Sequence, residues 1–405
     1  MAVYQVYEYN WLQYEPGLRG HQPWFEQKHY ECLVDFHDNR GGSRYFELVR
    51  SGIRFLQFVG VIQVRDLTIE ILPKTDRSND KNLWHEVLVS MLRQTRFLNL
   101  EYLSEASLQF KKHSILHLYF AEYLGQVRYL LQQGLVKQYH KKQGNLKALK
   151  GAIDFGRQVS QNHIHKERFY TRHQVYDHNH LLNQILREAL LVLRGLTRGQ
   201  NLADDVNRLL HDFPQVHRTK VDETTFKNLA FNRKNNSYKK AIMMAKMIIL
   251  NYSPNIKGGS NELFALLFDM NELWEEFIYR QLLKAGAKVR YQDWDYFWAD
   301  RTLIPDMVVD LPDDKIVIDT KWKIIDNAKP STADLRQIFA YNIYWQAQKG
   351  YLLYPKTSQS PYTTPGEYHQ GHSRDSKMTC QVIYADIVNE NGLNQHIGQD
   401  ILSQI

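Results

Sequence analysis

Two short apolar runs joined by a polar turn constrain the fold of this chain more than any other feature. They lie in IPDMVVDLPDDKIVIDTKWK, residues 304–323, with Leu311-Pro312-Asp313-Asp314 between them. β-branched runs on either side of such a turn are typical of paired strands. Because Ile316-Val317-Ile318 has no polar break, we expect the second strand to be buried on both faces.

Two acids and a lysine occupy these strands. Asp306 enters the first strand, and Asp319 and Lys321 lie on the second with Thr320 between them. The two-residue period of a strand directs Asp319 and Lys321 to one face and Thr320 to the other. Carboxylate oxygens of this kind hold Mg²⁺, and a lysine ammonium can orient a water that attacks a phosphodiester. The pattern predicts a magnesium site for phosphodiester hydrolysis.

The tripeptide Asp-x-Lys is common by itself, and the alternative is an edge hairpin that carries solvated charges. Two carboxylates at the end of a buried strand are costly unless they bind a cation or a partner. We therefore favour the functional interpretation, in which Asp306, Asp319 and Lys321 converge on one divalent cation.

Neighbouring helices supply further candidates. In FDMNELWEEFIYRQLL, Glu275 lies beside the apolar stripe while Glu276 falls further round, so we assign Glu275 as a third acid and metal ligand. In the following helix, Gln337 and Tyr341 are four residues apart on one face, where they could hydrogen-bond a phosphate or the attacking water. We expect Gln337 to assist catalysis and Tyr341 to contact DNA.

The best linker candidate comprises Pro254, Gly258, Gly259 and Ser260. We place the main boundary there. Residues 1–258 then form an α+β N-terminal region, with a small antiparallel β-rich part at 1–80 and a helical part at 81–258 that bears a basic arm. Residues 259–405 read as helix, three strands, helix and strand, which predicts an α/β domain with a central mixed sheet flanked by helices. The first of these helices is predicted over NELFALLFDMNELWEEFIYRQLLKAG.

Positive charge is concentrated in one zone. The net charge is +7, and the segment from Lys111 to His180 holds twelve Lys or Arg against four Asp or Glu. Such a zone suits a polyanion or an acidic partner, and a solvated positive face without a ligand is the alternative. Within it, residues 141–172 have scattered glycines and little that would form a core, so we expect a loop-rich projecting arm.

Composition excludes several classes of protein. Only two cysteines, Cys32 and Cys380, are present, far apart in sequence, which argues against a disulfide framework and a cysteine-rich zinc site. Eight histidines fall between His113 and His180, but no cysteine or close carboxylate completes a tetrahedral set. The start lacks a signal-peptide pattern and no apolar run reaches 18 residues, so we expect a cytoplasmic protein without a membrane span.

These residues resemble McrC, the nuclease subunit of the McrBC modification-dependent restriction systems, within the PD-(D/E)xK superfamily. FVGVIQVRDLTIEILPK resembles the N-terminal signature of the family, and LKGAIDFGRQVSQNHIHKERFY with YDHNHLLNQILREAL its middle region. FDMNELWEEFI, IPDMVVD, VIDTKWK and DLRQIFAY resemble its nuclease domain. By position, the resemblance implies that Asp306, Asp319 and Lys321 are catalytic and that Glu275 is the acid of the FDMN helix.

The resemblance also implies partners, namely methylated DNA and McrB, an AAA+ GTPase hexamer whose GTP hydrolysis McrC stimulates. This chain has no GxxxxGK[ST] motif, so a motor would be a separate protein. The arm is our candidate for the element that enters the channel of the ring, with Arg157, Lys166 and Arg168 as possible contacts to acidic groups or GTP phosphates. Contact of the same arm with DNA phosphates is the alternative.

Three functions remain open at this point. The first is a Mg²⁺-dependent endodeoxyribonuclease that cuts only with a GTPase partner, and the second is a nuclease that acts without a motor. The third is an assembly factor that activates a GTPase ring, with nuclease chemistry lost or secondary. The sequence leaves open the recognised modification, the stoichiometry, the number of metals and the cleavage pattern.

Overall fold

A computed structural model provides the structure of the protein. It describes residues 2–38, 42, 44–74, 80–95, 115–197, 202–253, 263–312, 314–325, 329–358, 360–368, 378–389 and 392–405. The proposed linker residues Pro254, Gly258, Gly259 and Ser260 lie outside the described residues.

The elements are given in chain order. The helices are α1 (Gln27–Asp38), α2 (Lys81–Gln94), α3 (Ile115–Gln133), α4 (Phe155–Asn162), α5 (Leu181–Leu196), α6 (Ala203–Asp212), α7 (Glu223–Lys227), α8 (Tyr238–Leu250), α9 (Met270–Lys284), α10 (Thr332–Trp345) and α11 (Ile397–Leu402). The strands are β1 (Ala2–Tyr7), β2 (Trp11–Gln13), β3 (Phe46–Val49), β4 (Gly52–Phe55), β5 (Phe58–Val64), β6 (Leu67–Leu72), β7 (Gln138–Leu146), β8 (Ala152–Ile153), β9 (Phe169–Asp177), β10 (Tyr252–Ser253), β11 (Leu263–Asp269), β12 (Lys288–Tyr291), β13 (Asp295–Trp298), β14 (Arg301–Leu303), β15 (Met307–Asp310), β16 (Lys315–Thr320), β17 (Lys349–Pro355), β18 (Gly366–Glu367), β19 (Thr379–Ala385), β20 (Val388–Asn389) and β21 (Gly392–Leu393). None of the helices in the described ranges is both long enough and apolar enough to cross a bilayer.

The chain forms two compact units. The first comprises residues 1–100, 108–115 and 255–405, and the second comprises residues 101–107 and 116–254. The sequence predicted a division near 258 that left the β-rich residues 1–80 with the helical region. The structure divides the chain differently, because the N-terminal strands belong to the same unit as the C-terminal residues.

Strand β11 joins the two ends of the first unit. It pairs antiparallel with β5 from Leu263 opposite Val64 to Asp269 opposite Phe58, in a sheet that has β1, β6, β5 and β11 side by side. The pairs β3–β4 and β5–β6 are antiparallel, as the sequence predicted, whereas β1 runs parallel to β6. The predicted helix over residues 261–286 is wrong in its first part, since helix α9 begins only at Met270. A short, fully apolar run such as LFALLF is compatible with either structure until its partners are known.

The six-stranded sheet of the first unit carries the predicted strand pair. Its order is β12, β15, β16, β17, β19 and β18. β15 and β16 are antiparallel, with Met307 opposite Ile318, and β17 runs parallel to β16, joined to it through α10. From Ile316 onward β16 is buried along its whole length, as its sequence predicted. This mixed sheet matches the α/β arrangement expected for the C-terminal region.

The second unit combines helices with a small sheet. The hydroxyl of Tyr123 in α3 donates to the Leu186 carbonyl of α5 at 2.8 Å, and the Tyr238 hydroxyl of α8 donates to Asn183 of α5 at 3.1 Å. Residues 138–177 form the antiparallel sheet β7, β9 and β8, against which α4 packs. The expectation of a loop-rich arm is therefore wrong, because backbone pairing and not an apolar core orders this segment.

Gly60 is required where β5 meets β11. Its φ is +133°, and a Cβ at this position would lie 2.3 Å from the Leu266 carbonyl oxygen of the paired strand. We expect Gly60→Ala to lower the free energy of unfolding by about 2 kcal/mol or more, because backbone atoms must shift. Gly286→Ala is the matched control: φ there is +90°, but the space is open, so we expect only the conformational cost of about 1 kcal/mol. Urea unfolding measures both changes, and equal losses would contradict the steric explanation.

Candidate active site

Asp306, Thr320 and Asp319 meet where β15 begins and β16 ends. The Oδ2 atom of Asp306 accepts hydrogen bonds from the Thr320 amide at 2.6 Å and from the Thr320 hydroxyl at 2.8 Å. Thr320 was expected to face away from the acids, but its side chain contacts Asp306. The reason is that Asp306 precedes β15 and approaches the end of β16 beside the Thr320 backbone amide, and not over one face of the sheet. Asp319 is buried at the penultimate position of β16.

Lys321 connects Asp319 to helix α10. Its Nζ atom lies 2.6 Å from Asp319 Oδ2 and donates to Gln337 Oε1 at 3.2 Å. Gln337 Nε2 in turn donates to the Tyr341 hydroxyl at 2.8 Å, and that hydroxyl donates to the Ile304 carbonyl two residues before Asp306. The structure therefore links four predicted site residues by contacts, namely Asp319, Lys321, Gln337 and Tyr341. Their roles in catalysis stay predictions.

Glu275 reaches the same site from helix α9. Its Oε1 atom accepts a hydrogen bond from Gln292 Nε2 at 3.0 Å, and the Gln292 amide donates to the Asp306 carbonyl at 3.0 Å. Glu276, placed further from the core by sequence periodicity, is in fact the more buried of the two, and Arg280 forms an ion pair with it at 3.3 Å. Glu275 is partly exposed, and its charge raises the pKa of Asp306.

The three acids perturb one another. The pKa of Asp319 is raised to about 7, first by burial and then by the charge of Asp306, against the opposing effect of Lys321. Burial and the charge of Glu275 raise the pKa of Asp306 to about 6. Burial also raises the pKa of Glu275, although hydrogen bonds from Gln292 and Tyr291 oppose it. Burial opposes the charge of Lys321, but the Asp319 carboxylate raises its pKa above the usual value. Such shifts arise where like charges are held together away from water.

The donor chemistry of this cluster fits Mg²⁺. Asp306, Asp319 and Glu275 offer carboxylate oxygens, the ligands that Mg²⁺ prefers, and Asp319 Oδ2 lies 2.6 Å from the Lys321 ammonium. Within the described ranges, no three Asp, Glu, His or Cys side chains stand close enough to form a complete ligand group. Mg²⁺ needs none, since it is commonly held by one or two carboxylates with water and phosphate oxygens. Asp306 and Asp319 would supply those two carboxylates.

Sequence reasoning missed two contributors. Asp334 of α10 lies 3.8 Å from Lys321 and 2.9 Å from Lys323. Its spacing of three residues from Gln337 on one helix was a usable signal. Trp322 donates its indole N–H to the buried Glu8 carboxylate at 2.8 Å. No local pattern could have revealed this contact, because 314 residues separate the two side chains.

The three predicted partner-contact residues of the second unit differ in how many contacts they already make within the chain. Arg157 is held in place, as it donates to Gln143 and Tyr170 at 2.9 and 2.7 Å and lies over the Tyr170 ring. Arg168 is 3.7 Å from Glu167, and Lys166 is exposed. Nothing in the structure chooses among the three as contacts.

The raised acid pKa values predict a pH-dependent cost to stability. The Asp319 carboxyl has a higher pKa in the folded than in the unfolded chain, so the stability penalty is absent below about pH 4, grows as the pH rises from 4 to 7 and is complete above pH 7. In EDTA, we expect Asp319→Asn to raise the free energy of unfolding by about 1 to 3 kcal/mol at pH 8 and by less at pH 5. Urea unfolding at the two pH values measures this. The exposed Asp300→Asn is the control, and an equal effect of Asp319→Asn at both pH values would contradict the assignment.

Comparison with known proteins gives a family and two structural relatives. A comparison with curated protein sequences gives no match. One solved structure, titled a half-complex from a tetradecameric assembly of Thermococcus gammatolerans McrB AAA+ hexamers with bound McrC, matches with a TM-score of 0.65 at 18% identity and covers 100% of both chains. A second, the Thermococcus gammatolerans McrBC complex, matches with a TM-score of 0.50 at 19% identity over 72% of this chain and 90% of that one.

These two matches show a shared fold. The family model described as McrBC 5-methylcytosine restriction system component matches residues 53–355, about three quarters of the chain, including every predicted site residue. The chain therefore belongs to the McrBC 5-methylcytosine restriction system component family.

Proposed function

We propose that this protein is the Mg²⁺-dependent endodeoxyribonuclease of a modification-directed restriction complex. The observation that carries the proposal is the Asp319–Lys321 ion pair next to Asp306 at the ends of β15 and β16, with the pKa of both aspartates raised and the charge of Glu275 acting on Asp306. A buried, mutually repelling set of carboxylates costs stability, and a divalent cation would offset that cost. Membership of the restriction family supports DNA as the substrate.

Each residue has a role that follows from its contacts. When bound, Mg²⁺ would take up charge on the scissile phosphate and lower the pKa of a water. Asp306 and Asp319 would hold it, with Thr320 fixing the orientation of Asp306 through two hydrogen bonds. Lys321, held by Asp319 and Gln337, would orient the attacking water and stabilise developing negative charge. Glu275 faces the same charges from α9 and is the third acid of the set.

Loss of one acid tests the nuclease assignment. We expect Asp319→Asn to reduce DNA cleavage by at least about 100-fold, because the cation loses a ligand and Lys321 its partner. Plasmid cleavage with Mg²⁺, GTP and a McrB-type ring measures the effect. Asp310→Asn, on the neighbouring strand β15, is the matched control and should cut like the wild type. Undiminished cleavage by a folded Asp319→Asn variant bound to its ring would refute the proposal.

We also propose that the chain binds and stimulates a McrB-like AAA+ GTPase hexamer. Its fold resembles that of a chain in the solved assembly of Thermococcus gammatolerans McrB AAA+ hexamers with bound McrC. The arm, residues 141–172, carries apolar side chains in water, with Phe155 exposed by 75% and Ile164 by 85%, accompanied by Leu149 and Val159. Exposed apolar groups beside cations fit a protein partner better than phosphates alone. This favours the arm as a partner contact over the alternative of direct DNA contact.

Polar replacement on the arm tests the partner contact. We expect Phe155→Ser with Ile164→Ser to weaken binding to a purified McrB-type ring by about 10- to 100-fold, since each buried apolar side chain contributes about 1.5 to 3 kcal/mol at most. Binding is measured by sedimentation or interferometry with GTP. Tyr362→Ser, which changes a side chain exposed by 94% in the other unit, is the control. Unchanged affinity of the double variant would move the contact elsewhere.

The same cleavage and GTPase assays distinguish the proposed function from the two other functions that the sequence left open. Cleavage by the pure chain with Mg²⁺ alone would indicate a nuclease that needs no motor. Stimulated GTPase activity without any cleavage by the wild type would indicate an assembly factor. The absence of a GxxxxGK[ST] motif favours a separate motor.

A further inference from the structure

A buried glutamate far from the site in sequence is bonded to the segment that carries Lys321. Glu8 directly follows β1 and is only 4% exposed. Its Oε1 atom accepts hydrogen bonds from the Trp322 indole at 2.8 Å and from the Lys74 amide at 3.0 Å. Its Oε2 atom is buried and has no hydrogen-bond partner among the described residues.

Trp322 stands between two parts of the active site. It is the next residue after Lys321, is itself buried, and its ring lies 5.2 Å from the Trp274 ring. Trp274 precedes Glu275 on α9. A shift of the Trp322 indole therefore affects both the segment of Lys321 and the helix face next to Glu275, because buried aromatic rings leave no space for adjustment.

We propose that Glu8 is a positioning residue for the nuclease site, which fixes Lys321 by holding the indole of Trp322. This inference rests on the proposed nuclease function. The residue that follows the first N-terminal strand, outside the sheet of the site, would thus affect catalytic geometry through Trp322.

The energetics favour a specific role over simple packing. Burial raises the pKa of Glu8 to about 7, against the hydrogen bonds from Trp322 and Lys74 and with a further rise from the charge of Asp269. An apolar side chain would fill the same space without the cost of burying a carboxyl group. An apolar side chain could not accept a hydrogen bond from the Trp322 indole N–H. A buried donor without an acceptor costs about 1 to 3 kcal/mol, so the indole ring would move.

A pair of substitutions separates the hydrogen bond from the charge. Glu8→Gln keeps an acceptor for Trp322, whereas Glu8→Leu keeps the volume and removes the acceptor. Glu70→Leu is the matched control: it removes another buried carboxylate, on β6, which accepts hydrogen bonds from Gln5 and the Ile115 amide, lies 3.2 Å from His85 and has no contact with the Trp322 segment among these. All variants are made in the full chain and assembled with the ring.

Three measurements report, in turn, the Glu8–Trp322 hydrogen bond, the Lys321 ion pair and DNA cleavage. The Trp322 indole N–H resonance, identified by its loss in Trp322→Phe, reports the hydrogen bond. The rate of Lys321 acetylation by a limiting acylating reagent, read by mass spectrometry, reports the Asp319 ion pair. Cleavage kinetics of the assembled complex report kcat and KM separately.

In Glu8→Leu we expect a shifted indole resonance, acetylation of Lys321 faster by up to about tenfold, and kcat lower by about 10- to 100-fold with KM within about twofold. Glu8→Gln should keep all three near the wild type. Unchanged Lys321 acetylation in Glu8→Leu would overturn the proposal. So would an equal change in Glu70→Leu, which would show a general loss of stability. If the wild type does not cut DNA, the nuclease function fails, while the resonance and acetylation still decide whether Glu8 positions Lys321.

Discussion

The ion pair between Asp319 and Lys321 is the interaction on which the proposed chemistry depends. It lies at the end of a strand that is buried on both faces, where burial and the charge of Asp306 raise the pKa of the Asp319 carboxyl to about 7. The Lys321 ammonium stabilises the negative charge of Asp319. Asp306 and Glu275 add further negative charge, which Lys321 alone does not balance. The cluster is thus less stable than an apolar one would be, and the proposed cation would offset that cost.

The arrangement depends on a chain that closes on itself. β11 adds to the N-terminal sheet by pairing with β5 and leads directly into α9, whose start Asp269 caps by accepting from the Asn271 amide at 2.9 Å. Because α9 carries Glu275, the N-terminal sheet sets the position from which that acid approaches Asp306. The Glu8 contact to Trp322 is a second connection between the same sheet and the site.

The second unit shows a different physical solution. Its arm has almost no buried apolar residues, and its order comes from the long β7 and β9 ladder and from polar contacts such as the pair of hydrogen bonds between Asn145 and Asn162. Apolar residues that do not serve a core are then available on the surface, where Phe155 and Ile164 lie. A surface of that kind suits a partner protein.

The sequence by itself determined which acids and which lysine the candidate site contains and the local strands that carry them. The alternation and the turn in residues 304–323 were enough to predict the β15 and β16 pair, and the spacing of Gln337 and Tyr341 on one helix is a local property. Only the tertiary structure decided that residues 263–269 form a strand, that Thr320 turns to Asp306, and that Glu8 holds Trp322. The physical reason is that these features depend on partners distant in the chain, and neither strand pairing nor burial of a polar group can be judged before the partner is in place.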